Sequence, residues 1–177
     1  MKFSRNHIIF FGSVVAFVPI PLLAIIDYKL AIIWFTFVCL GAAYAIYRRN
    51  IGEELVVALL FALVVTSYKA SVYTGSNLLL GHINIYPLFV WTAGLVALRE
   101  IYKHLRLPYR WVIASAIYIL ALFILEYVGY YLLGIKIPVD SPSLFGIGII
   151  HGSPFIHLFY LIAGPLYLLV ADYLRVS

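Results

Sequence analysis

The stretch REIYKHLRLPYR, residues 99–110, decides the fold. It sets four cations, Arg99, Lys103, Arg106 and Arg110, between two long apolar runs at 83–98 and 111–133. A basic break between apolar segments is the mark of a cytoplasmic turn joining two membrane spans. Working outward, Lys2 and Arg5 precede the first apolar run, Arg48 and Arg49 follow the second, and Arg175 follows the last. Nine of the 12 Lys and Arg therefore fall at alternate breaks, and only Lys29, Lys69 and Lys136 fall at the others. The positive-inside rule then predicts an all-α, polytopic six-transmembrane-helix bundle in the cell membrane with both termini cytoplasmic.

The expected spans are about 8–26, 30–47, 55–73, 83–102, 111–133 and 154–171. Each approaches the roughly 20 apolar residues that cross a bilayer. Together they use nearly the whole chain, so 1–177 is expected to be a single domain. A composition of 65% hydrophobic and 11% charged residues excludes the soluble globular class and makes the lipid bilayer the first partner. The net charge of +5 does not point to nucleic acid, because the cations lie beside spans, where topology and anionic headgroups account for them. The run at 8–26 is too long for a signal peptide core and lacks a small-x-small cleavage site, so it reads as the first span. Cys39 is the only cysteine, which leaves no intrachain disulfide and no thiolate cluster.

Local signals refine the elements. Glu53 and Glu54 read as the start of the third helix, where negative charge meets the helix dipole. Ser153-Pro154 reads as an N-cap followed by proline at the first helical position. Asp172 and Arg175 are spaced to pair at the end of the last helix. Pro19, Pro21 and Pro165 lie inside spans, where each removes a backbone bond and frees a carbonyl, those of Val15, Phe17 and Leu161. The result is either a static kink or a hinge. The connection 134–153, GIKIPVDSPSLFGIGIIHGS, is long and amphiphilic, and reads as a lid or as a plain cap over the bundle.

Glu126 and Lys69 are the ionisable residues at membrane depth. A rise of about 1.5 Å per residue puts them roughly 22 and 21 Å from the cytoplasmic ends of their spans, level enough to pair. Intramembrane ionisable groups are functional candidates by default, with a structural ion pair as the alternative. Glu126 shares a face with Ser115, Leu122 and Gly129, and Lys69 shares one with Ala58, Ala62 and Thr66. His157 shares a face with Gly164, and Asn84 with Pro87, Trp91 and Gly94. Small residues mark helix contacts in bilayers. Four spans thus turn small-residue stripes inward, each ending outward in a polar group. His82, Asp140 and His151 lie just above in the outer loops. The expected ligand-binding set is Glu126, Lys69, Asn84, His82, His151, His157 and Asp140, forming a polar pocket that opens outward.

No strong catalytic motif is present. The chain has no Gly-rich phosphate loop, no G-x-S-x-G and no paired acidic motif. His82, His151 and His157 lack zinc spacing, so no metal site is expected, although histidines on separate elements are able to ligate haem. The cofactor is not legible. Three functions fit: binding or transport of a small molecule with Glu126 as its anchor; an enzyme acting on a lipid or isoprenoid, with Glu126 as acid or base and His157 as its partner; or an accessory subunit of a membrane complex touching haem or quinone, with partner membrane subunits. In span number and length the chain resembles the S-components of energy-coupling-factor importers. That resemblance implies a substrate-binding membrane subunit. Its first span carries Ala16 and Ala24 rather than an A-x-x-x-A docking pattern.

Overall fold

The computed structural model describes residues 12–47, 49–67, 73–74, 77–136, 142–148 and 150–174. Six α-helices make up the described fold: α1 (Pro19–Ile26), α2 (Tyr28–Tyr47), α3 (Arg49–Thr66), α4 (Ile85–His104), α5 (Arg110–Tyr127) and α6 (Pro154–Tyr173). A small antiparallel hairpin, β1 (Leu79–Leu80) with β2 (Ile83–Asn84), leads into α4. Three apolar stretches are long enough to cross a membrane, namely Tyr28–Ala45, Arg110–Leu132 and Pro154–Tyr173. The second takes in the π-helical turn Val128–Leu132 that continues α5.

The helix α4 sits centrally and packs against α2, α3, α5 and α6. Its buried face is Pro87, Thr92, Leu95, Val96, Leu98, Arg99 and Tyr102. This differs from the expected stripe, because Gly94 faces outward while Asn84 and Pro87 face in. On α3 the expected stripe is present: Ala58, Ala62 and Thr66 have no exposed surface. Small side chains let α3 approach α4 closely, where dispersion between well-packed atoms replaces the hydrophobic drive that lipid cannot supply. The outward faces are apolar, with Leu120, Leu125 and Ile25 well exposed. A surface of that kind suits lipid and not water.

The prolines act differently from one another. The apolar helical stretch Gly12–Ile26 breaks in a turn at Val18, and Pro19 opens α1. Nearby, the Trp34 indole Nε1 donates to the Ala16 carbonyl oxygen at 2.8 Å. A side chain from the next helix thus satisfies backbone beside the break, as lipid surroundings require. By contrast α6 runs on through Pro165. The Ser153 cap is present, with the Ile156 backbone N–H donating to its Oγ at 3.4 Å.

One expectation, for Glu54, needs correction. Glu54 is not in the first turn, since α3 already begins at Arg49. It is fully buried and contacts Lys103 and Arg99 of α4. Arg175, and with it the expected Asp172–Arg175 pair, lies outside the described residues; from α4, Arg99 Nη1 donates to Asp172 Oδ1 at 2.5 Å and the Tyr102 hydroxyl to its Oδ2 at 2.7 Å. Tertiary partners on α4 have overridden the local reading of Glu54.

The connection after α5 folds back on itself where it is described. Ser143 bridges His151, and the Leu144 N–H donates to the Ile150 carbonyl at 3.0 Å. Leu144 and Ile150 are both buried in the core cluster, so this segment caps the bundle.

Candidate functional site

Glu126 is the penultimate residue of α5 and is half-buried. Its carboxyl is in hydrogen-bonding contact with the Tyr160 hydroxyl of α6. Tyr160 in turn contacts the Tyr73 hydroxyl, from the connection after α3. Three separate elements therefore converge at this carboxyl. Tyr118, two turns below Glu126 on α5, donates its hydroxyl to the Tyr160 backbone carbonyl at 2.6 Å. That bond sets α6 against α5. Trp91 of α4 meets the Tyr160 ring edge-on at 5.1 Å and the Phe159 ring at 5.5 Å. Edge-to-face geometry places a ring's positive rim against its neighbour's negative face.

A cavity of about 240 Å³ runs between α4 and α5, lined by Trp91, Gly94, Ala97, Tyr118 and Ala121 with Glu126 among them. Its walls are otherwise apolar. Gly94 and Ala97 on one side and Ala121 on the other leave the space that larger side chains would fill. The exposed Gly94 that broke the expected stripe is therefore a wall of this cavity.

Tyr73 is held from the other side by an asparagine pair. The Asn77 amide donates to the Tyr73 carbonyl at 2.8 Å and accepts from the Tyr73 N–H at 3.2 Å. Asn84 Nδ2 donates to Asn77 Oδ1 at 3.0 Å, while Asn84 Oδ1 accepts the Tyr86 N–H as the N-cap of α4. Asn84 is almost wholly buried and supports the loop that carries Tyr73. The Tyr86 ring stands edge-on to Tyr73 at 5.5 Å.

Lys69 and Asp140 lie outside the described residues, and with them the Glu126–Lys69 pair. His82 is exposed in the hairpin turn. His151 stacks on Tyr130 with ring centroids 4.7 Å apart. His157 sits one turn before Tyr160, and its Nε2 is buried with no hydrogen-bond partner among the described residues. No three His, Cys, Asp or Glu side chains cluster as metal ligands among the described residues.

Two features escaped sequence reasoning. The tyrosines at 73, 118 and 160 carry no local signal, because only the fold brings Tyr73 and Tyr160 to Glu126. At the outer end, Lys29 is buried, donates to the Thr74 carbonyl at 2.8 Å and lies 3.9 Å from Asp27. Its i, i+2 spacing from Asp27 was a signal, but its link to Thr74 across the chain was not.

A family model described as platelet-activating factor acetylhydrolase, isoform II, matches residues 46–123, less than half of the chain. The match covers α3, α4 and most of α5 and ends before Glu126 and α6. Within it Ser115 is committed to its own helix, donating to the Trp111 carbonyl at 2.8 Å. No curated protein and no solved structure matches the chain.

Proposed function

We propose that the chain is a six-span membrane protein, both ends cytoplasmic, that binds an amphiphilic small molecule between α4 and α5. The tail lies in the apolar cavity and the polar end meets Glu126, Tyr160 and Tyr73. The observation that carries this reading is the single carboxyl on the wall of an otherwise apolar cavity. Small-molecule sites are largely apolar clefts with a few placed polar groups that fix orientation. The six-span topology is supported by the alternation of cations along the chain. It is also supported by α4, whose 20 residues extend about 30 Å at 1.5 Å per residue. Transport has no supporting feature among the described residues, so the proposal is confined to binding.

Native mass spectrometry of the chain released from a mild detergent tests this. The expected result is a retained amphiphile of a few hundred daltons, lost in Gly94→Leu, which fills the cavity. Retention unchanged by Gly94→Leu removes the assignment.

A second reading, an enzyme acting on a lipid, is favoured by the Tyr73–Tyr160–Glu126 chain, in which a carboxyl and two phenols are placed to pass a proton. The partial match to a lipid-hydrolysing family leans the same way, although it stops short of Glu126. On this reading Glu126→Gln abolishes turnover of the retained molecule and leaves its binding within a few-fold. On the binding reading alone, no turnover exists to lose.

A further inference from the structure

The surroundings of Glu126 bear on the class of ligand, an inference that rests on the binding reading above. A carboxylate beside an apolar cavity is unfavourable until a counter-charge reaches it. The ion pairs of the described residues lie elsewhere. Asp27 and Lys29 pair at the outer end, and Glu54, Glu100 and Asp172 meet Arg99 and Lys103 near the cytoplasmic ends of α4 and α6. The described partner of Glu126 is a phenol, which brings a hydrogen bond without charge. What else the site offers is aromatic. Trp91 and Tyr118 line the same cavity, and Tyr160 links the carboxyl to Trp91. Tyr73, paired ring to ring with Tyr86, closes the hydrogen-bonded chain.

Aromatic faces carry negative charge density and attract cations within about 6 Å. One carboxylate among such rings is the chemistry that recognises an ammonium group. An anionic head would meet repulsion from Glu126, and a neutral head would forgo the attraction of its carboxylate. We propose that the site takes a long-chain ammonium amphiphile, its cationic head at Glu126 among Trp91, Tyr118 and Tyr160. Its tail runs down the cavity past Gly94, Ala97 and Ala121.

The test uses the full chain in a maltoside detergent and three probes with one dodecyl chain: dodecyltrimethylammonium, dodecyl sulfate and dodecanol. Saturable change in tryptophan fluorescence is followed, with Trp91→Phe identifying the reporting indole. The expected result is at least tenfold tighter binding of the ammonium probe than of the other two. Glu126→Gln, checked for an unchanged unfolding midpoint, should abolish that preference, and Glu126→Asp should restore part of it. Lys69→Met should leave the preference in place. Tight binding of dodecyl sulfate that Lys69→Met abolishes would overturn the cation assignment. Equal saturable binding of all three probes, lost in Gly94→Leu, would also overturn it while the amphiphile reading stands. No saturable binding of any probe would remove both.

Discussion

Tyr118 of α5 occupies the space that a side chain at Gly164 of α6 would need: a Cβ there would come within 2.5 Å of the ring Cγ. The same tyrosine donates its hydroxyl to the Tyr160 carbonyl at 2.6 Å, one turn earlier on α6. Gly164 thus sets the depth at which Tyr118 sits, and Tyr118 sets where Tyr160 stands beside Glu126. The ring atoms in contact are those nearest the α5 backbone, so they cannot swing clear.

Gly164→Ala tests this dependence. In a free helix the change would favour α6 by about 1 kcal/mol through helix propensity. Here overpacking against Tyr118 is expected to outweigh it, with a net loss of about 1–3 kcal/mol. Thermal unfolding in detergent should show a lower midpoint, and the tryptophan emission of Trp91 should shift as Tyr160 moves. A raised midpoint would show that the helices separate without cost.

The ion cluster where α3 begins and α4 and α6 finish predicts an asymmetry. Arg99 is buried between Asp172, whose side chain is 40% exposed, and Glu54, which is not exposed at all. Arg99→Leu takes a buried guanidinium from two carboxylates but leaves Glu54 with Lys103, and should cost about 2–3 kcal/mol. Asp172→Asn leaves a group that water already reaches and should cost about 1 kcal/mol or less. Adding Lys103→Leu to Arg99→Leu strands the Glu54 carboxylate and should deepen the loss. Unfolding midpoints of the three variants check the order.

Asn84→Ala should act on both fold and site. It removes the α4 cap, worth about 1 kcal/mol, and frees Asn77, which holds Tyr73. Amphiphile retention should fall along with stability. Asn84→Asp keeps the cap oxygen but loses the donor to Asn77, so it should spare stability more than it spares retention. Parallel native mass spectrometry and thermal unfolding separate the two effects.

Trp34→Phe keeps the ring and removes the indole N–H. The Ala16 carbonyl beside the Val18 break then loses its donor. The expected cost is about 1–3 kcal/mol, since an unsatisfied carbonyl in lipid has no water to turn to. Faster hydrogen exchange across residues 12–26 would mark the loss; unchanged exchange would show that the bond is idle.

Much of the architecture was legible because its signals are local. Ser153-Pro154 marked the start of α6, and the Ala58–Ala62–Thr66 stripe marked a contact face, each within a turn or two of chain. Failures came where a partner stood far away in sequence. Glu54 read as a helix start because its neighbours in sequence suited one, yet it is bound by residues about 45–50 positions later. Asp172 read as a partner of Arg175, which lies outside the described residues, and its hold by Arg99 from another helix left no local signal. Asn84 was legible as polar and inward, but its role in supporting Tyr73 depends on a hairpin and a loop meeting.

The sequence by itself determined that this chain is helical and built for lipid, because hydropathy and charge placement act through solvation of each segment on its own. It also singled out Glu126, because a carboxyl deep in an apolar run is costly wherever the helix packs. Only the tertiary structure decided what that carboxyl faces. Tyrosines from α6 and from the connection after α3 reach it because Gly164 admits Tyr118, and a cavity opens beside it because Gly94, Ala97 and Ala121 leave space between α4 and α5. Those are contacts between surfaces remote in sequence, and no local pattern encodes which two surfaces will meet.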